Sequence, residues 1–305
     1  MKQQNIMMKN FFILLFTVAI TNIISAWSCT SENKENYYVG YSTGSPQNEG
    51  PQQIYLWKDG NVPTTTRYTE NNSNYFDPPE FRPNIVYFPV KQGVDVKGAV
   101  LICPGGAFRF RSDNEGAPVA EQLSGLGYQS FVVNYRLAPY TMQEGALDLA
   151  RAVRYVRNHA KDLAIDEKDI AVMGFSAGGI LCGELLLNFD GFTDGKSIDP
   201  KYLPDELDKI SADASAVGMI YSFYGRLSVA STDVEKFRTS ELPPAYFLYG
   251  TRDPFVNQFE LCVNSLRQAG IPTESHVLQD WPHGFGAGDG KWILDFDRWL
   301  IEIFK

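Results

Sequence analysis

Histidine and cysteine are scarce in this chain of 305 residues, which has three of the first and four of the second. No C-x-x-C pair occurs and the histidines stand apart from one another, so no segment carries metal-site spacing and a metal-dependent deacetylase is disfavoured. With Cys29 set aside for a reason given below, Cys103, Cys182 and Cys262 remain; an odd number allows at most one disulfide, and no disulfide framework exists. Cys103 and Cys182 lie in apolar runs, where a buried thiol acting as a small hydrophobe is expected. Basic residues are also in deficit. Lys and Arg number 27 against 36 Asp and Glu, a net charge of −9, which argues against nucleic acid or an anionic membrane as partner and leaves a neutral sugar ester acceptable. There is no internal repeat. One uncharged apolar stretch, residues 11–26, is 16 residues long, short for a membrane span.

That stretch follows Lys2 and Lys9, the layout of an export signal rather than of a folded element. Ala26-Trp27-Ser28-Cys29 after it resembles a lipobox, in which Cys29 is lipidated and becomes the new N-terminus; simple secretion and an uncleaved anchor are the alternatives. The expected layout is a signal peptide over 1–28, a polar tether over 29–53 and one catalytic domain over 54–305, with the enzyme periplasmic or anchored at the outer membrane of a bacterium. The domain has about 250 residues, ample for a single α/β core, and 44% hydrophobic with 21% charged residues is ordinary for a globular protein.

The chemistry centres on Gly174-Phe175-Ser176-Ala177-Gly178. A G-x-S-x-G pentapeptide between a short apolar run (Ile170-Ala171-Val172-Met173) and a helical pattern from Ala177 is a nucleophile elbow, which pushes a serine hydroxyl out of a sheet. Such a serine needs a base and an acid downstream, in the order Ser, Asp or Glu, His. His159 precedes the serine in the polar tail of a helix starting near Gly145 and reads as a helix-end residue. His276 lies in an alternating strand pattern. His283, in Trp281-Pro282-His283-Gly284-Phe285-Gly286, follows that strand in a turn-rich loop, the place where a doubly wound sheet gathers its reactive groups. Asp253 is the preferred acid, because it lies in the loop after the strand pattern Ala245-Tyr246-Phe247-Leu248-Tyr249-Gly250. Asp280, three residues before His283, and Asp289 are alternatives, but neighbours in one loop seldom place a carboxylate behind the imidazole.

Val100-Leu101-Ile102-Cys103 is a buried-strand pattern leading into Pro104-Gly105-Gly106-Ala107-Phe108. Gly106 and Ala107 are expected to turn their amides to an oxyanion, joined by the amide of Ala177, with Gly105 shaping the turn. Arg136 reads as an interior ion-pair partner and Glu115 as an acid at a helix N-terminus.

The segments 103–108, 133–137, 174–179, 250–253 and 282–286 together resemble the α/β-hydrolase fold esterases, and most of all the acetylesterase and acetylxylan-esterase-like lipoprotein enzymes of carbohydrate-degrading bacteria. The resemblance runs from about residue 54 to 305. It implies a Ser176–Asp253–His283 triad working through an acyl-enzyme on short-chain, acetyl-type carbohydrate esters, without a cofactor. Where the family usually has a third glycine and a tyrosine, this chain has Ala107 and Phe108. A feruloyl-type or other carboxylesterase, a peptidase or acyltransferase on the same fold, and a non-catalytic binding module are the competing readings, the last typically lacking a triad member.

Strand and helix patterns alternate after residue 98, which predicts a mostly parallel, doubly wound sheet with right-handed crossovers. Only 23 polar-rich residues separate Tyr221 from Ala245, too few for a large cap.

Overall fold

The apolar runs read from the sequence become the centre of one eight-stranded sheet. The computed structural model describes residues 50–305; the leader, Cys29 and the tether as far as residue 49 lie outside the described residues. Strands β1 (Gln52–Tyr55), β2 (Asn84–Phe88), β3 (Gly98–Cys103), β4 (Tyr128–Asn134), β5 (Ile170–Phe175) and β6 (Ala216–Ile220) belong to this sheet. A hairpin of two two-residue strands, β7 (Gly225–Arg226) with β8 (Val229–Ala230), stands apart from it. Strands β9 (Ala245–Gly250) and β10 (Thr273–Leu278) complete the order β1-β2-β4-β3-β5-β6-β9-β10. Within this sheet the pairings of β2 with β1 and β4 are antiparallel and the others parallel.

Every residue of β3, β5, β6 and β9 is buried, as strands covered on both faces require. The flanking helices are α1 (Ala117–Gly125), α2 (Met142–Asn158), α3 (Ala177–Asn188), α4 (Val234–Thr239), α5 (Val256–Ala269) and α6 (Lys291–Ile303). α2 packs on α3 and α1 on α6. Because β3, β5, β9 and β10 run in the same direction, the loops beyond their C-terminal ends come out on one edge of the sheet. These are the four loops that carry the chemical motifs.

Two elements, β1 and α2, differ from expectation. β1 begins at Gln52, inside the stretch assigned to the tether; it is an edge strand with alternating exposure, so it needs no apolar run. α2 begins at Met142, ahead of Gly145, because Thr141 caps it and Glu144 reaches back to the Thr141 amide, a capping box. The residues between Tyr221 and Ala245 fold into the β7–β8 hairpin and α4. Cys103, Cys182 and Cys262 are all buried free thiols. Among the described residues no helix is long and apolar enough to cross a membrane.

Glu144 also fastens the loop between β1 and β2 to the start of α2. Its carboxylate accepts from the Thr64 and Thr66 hydroxyls, from the Thr65 and Thr66 amides and from the Thr141 amide and hydroxyl, at 2.5–3.1 Å. Burial pushes this carboxyl up, but the donors on Thr64, Thr141 and Thr66 outweigh it and hold the group down to about 2. Beside it Arg136 forms a buried pair with Asp148 at 2.9 Å, the interior role expected of it, and Trp57 donates to the same carboxylate at 2.7 Å.

Candidate active site

Ser176 occupies the corner between β5 and α3 with φ 49° and ψ −118°, a region an L-residue enters only at a cost of order 1–3 kcal/mol. Close packing holds it there. A Cβ on Gly178 would stand 1.9 Å from the Cys103 carbonyl oxygen, and one on Gly174 would stand 2.3 Å from the backbone of Gly178. Only glycine lets the head of α3 approach β3 and β5 this closely. Ser222 adds a peg by donating its hydroxyl to the Ser176 carbonyl at 2.6 Å.

His283 reaches back from the loop after β10. Its Nε2 lies 2.9 Å from Ser176 Oγ and its Nδ1 lies 2.6 Å from Asp253 Oδ2. An ionised carboxylate only accepts, so Nδ1 carries the hydrogen and Nε2 is left free to accept from the serine. Asp253 is 5% exposed, and its second oxygen accepts the Phe255 amide at 2.9 Å. The imidazole is flanked edge-on by Tyr221 and Phe255, with ring centroids at 4.9 and 5.5 Å. Asp280 and Asp289 are elsewhere. The first pairs with Arg252 at 3.1 Å and the second with Lys291 at 2.9 Å. His276 contacts Glu274, and His159 caps α2 with Nδ1 at 2.8 Å from the Tyr155 carbonyl.

The glycine loop after β3 turns sharply, with positive φ at Gly106, Ala107 and Phe108 (127°, 53° and 59°). Its carbonyls are engaged: Gly106 accepts from Arg109 at 2.8 Å and Phe108 from Ala138 at 2.7 Å. By contrast, the amides of Gly106 and Ala107 have no acceptor among the described residues, and neither has that of Ala177, the first residue of α3. Gly105 lies against the elbow, since a Cβ there would come within 3.0 Å of Ser176 Cβ, and its amide is taken. It donates at 2.6 Å to Glu115.

Glu115 stands at a helix N-terminus, as the sequence suggests, but it is buried. It closes a 3-10 turn ahead of α1, and its side chain is turned inwards to Gly105 and Tyr221. Burial raises its pKa, against the pull of donors on Tyr221 and Gly105 and of nearby His283. Tyr221 and Ser222, the other residues bracing the site, escaped the sequence reading. Only their place just beyond the β6 pattern could have drawn attention to them.

The model of one protein family, BD-FAE, matches residues 85–251, more than half of the chain. The chain belongs to the BD-FAE family of α/β-hydrolase esterases. Among curated proteins, this BD-FAE chain is 30% identical over 254 residues to endo-1,4-β-xylanase B of Butyrivibrio fibrisolvens, covering 74% of this chain and 38% of that protein. It is 27% identical over 222 residues to an acetylxylan esterase of Xylanibacter ruminicola, covering 67% and 45% respectively. The BD-FAE chain therefore spans less than half the length of either relative. An acetyl ester-xyloside bifunctional hydrolase from Caldicellulosiruptor lactoaceticus shares the fold, with a TM-score of 0.65 at 24% identity over 85% of this chain and 97% of that one. So does a thermophilic esterase from Thermogutta terrifontis, at 0.61 and 21% over 83% and 94%.

Proposed function

We propose that this chain hydrolyses short-chain carboxylic esters, acetyl groups on carbohydrate foremost, with Ser176 as nucleophile, His283 as base and Asp253 as its orienting acid. The observation that carries the reading is the continuous contact Ser176 Oγ–His283 Nε2 at 2.9 Å and His283 Nδ1–Asp253 at 2.6 Å. Ser176 Oγ attacks the ester carbonyl carbon while its proton passes to Nε2. The carbonyl oxygen, now negative, is received by the Gly106, Ala107 and Ala177 amides. The imidazolium returns the proton to the leaving alcohol as the C–O bond breaks, and water repeats the steps on the acyl-enzyme. None of these steps calls on a cofactor.

Acetyl specificity is supported by the relatives named for xylan and acetylxylan and by the short insertion between β6 and β9. That insertion holds a hairpin of two two-residue strands and a six-residue helix, which offers little apolar wall to a long acyl chain. An enclosed tunnel would add up to about 0.8 kcal/mol per methylene. A p-nitrophenyl ester series should accordingly show kcat/KM for acetate equal to or above that for octanoate; a steady rise with chain length would favour a lipase. Release of acetate from acetylated xylan tests the alcohol half.

Export and lipidation at Cys29 belong to the same proposal. With Cys29→Ser the protein should leave the membrane fraction for the soluble one. Retention of a processed Cys29→Ser chain in the membrane would overturn the anchor.

A further inference from the structure

Glu115 is 3% exposed, and no Lys or Arg among the described residues forms an ion pair with it. A carboxylate at that depth without a cation is costly. What it has instead are two donors from different parts of the site. Oε2 accepts the Gly105 amide at 2.6 Å and Oε1 accepts the Tyr221 hydroxyl at 2.6 Å. The Tyr221 oxygen in turn accepts the Gly286 amide at 3.0 Å, three residues past His283, while the Tyr221 ring stands against the imidazole. Tyr221 holds this position with φ 38°, a strained value for a bulky side chain.

We propose that Glu115 is a positioning residue for ester hydrolysis: a strut that fixes the distance between the oxyanion loop and the histidine loop. The proposal rests on the esterase reading above. Its chemistry depends on polarity. Gly286 N–H donates to Tyr221, Tyr221 O–H donates to Glu115, and Gly105 N–H donates to Glu115 from the other side. Both ends of the chain are backbone donors, so the middle must accept in both directions. A carboxylate does that and a carboxamide does not. In Glu115→Gln, the oxygen can keep Gly105, but the NH2 then faces Tyr221, whose hydroxyl would receive two N–H groups and have nowhere to place its own hydrogen. The substitution keeps the shape of the side chain and breaks the strut. Tyr221→Phe breaks it at the other junction, keeping the ring against His283 and removing only the hydroxyl.

The test measures kcat and KM for p-nitrophenyl acetate in full-length wild type, Glu115→Gln, Tyr221→Phe and the double variant, each normalised to sites titrated by a fluorophosphonate, with Tm recorded alongside. Loss of alignment by a fraction of an ångström predicts a fall in kcat of about 10- to 100-fold for Glu115→Gln with KM within about twofold. Tyr221→Phe should fall less, and the double variant no further than Glu115→Gln, because both cut one connection. Normal kcat per titrated site despite a lowered Tm would overturn the proposal, leaving Glu115 a structural residue. So would losses that multiply in the double variant. If Glu115→Gln does not fold, Tyr221→Phe decides alone by the same split between kcat and KM. Ser176→Ala separates this from the underlying reading: full turnover in that variant would overturn the assignment of Ser176 and its site as the place of ester hydrolysis, and the strut with it.

Discussion

Glu115 and Glu144 are the same side chain at nearly the same depth, 3% and 0% exposed, and they titrate in opposite directions. Glu144 gathers six hydrogen-bond contacts at the junction of the β1–β2 loop with α2, and its carboxyl is held down to about 2. Glu115 gathers two beside the histidine loop, and burial prevails, raising it. Burial weighs more heavily on Glu115 and donors are more numerous at Glu144, and the two together set the sign. Where the protein only has to hold together, the charge is fully met. At the proposed site the charge has two donors, one on the oxyanion loop and one on the tyrosine that stands against the imidazole. The contrast sets a junction that ties two segments together against the proposed site of chemistry.

The largest expected effects lie on the chemical side. Ser176→Ala and His283→Ala should each abolish esterase turnover with Tm unchanged, since the two act as one unit. Asp253→Asn should lose about 10³-fold or more by misorienting the imidazole. Near-normal turnover in Asp253→Asn, with loss in Asp280→Asn, would move the acid to the other loop.

A smaller effect of the opposite kind is expected at the junction. Glu144→Ala strands donors on four threonines and should cost on the order of 3 kcal/mol of stability, read from urea unfolding, with kcat per folded molecule unchanged. A matching fall in kcat would show that the two regions are not separable. The gap between wild type and Glu144→Ala should also depend on pH. The folded-state pKa of Glu144 is depressed from 4.5 to about 2, so its contribution is complete above pH 4.5 and disappears as the pH falls towards 2. A gap that stays constant over that window would refute the titration. Glu115 acts in the reverse sense: its pKa is raised, so the cost of its ionised form accumulates as pH rises from the unfolded value through the folded one.

Local patterns pointed to side chains that the fold brings together. Ser176 stands in a pentapeptide, and Asp253 and His283 each follow a strand pattern; those three residues are the ones the fold brings within hydrogen-bonding distance. Local pattern fails where partners are distant. Glu115 meets Tyr221 across 106 positions, and nothing around either residue announces the other. β1 was hidden for a different reason, because an edge strand with one solvated face can be built from polar residues such as Gln52 and Gln53. The start of α2 was legible, in Thr141-Met142-Gln143-Glu144, as a capping signature.

His283 lies five residues beyond the end of β10, the edge strand that among the described residues pairs only with β9. A nascent or partly assembled chain can therefore contain the elbow, the acid and the oxyanion loop and still have no base. If the proposed triad is right, a chromogenic acetate added during refolding should report the docking of β10 onto β9, with turnover absent until that edge is in place.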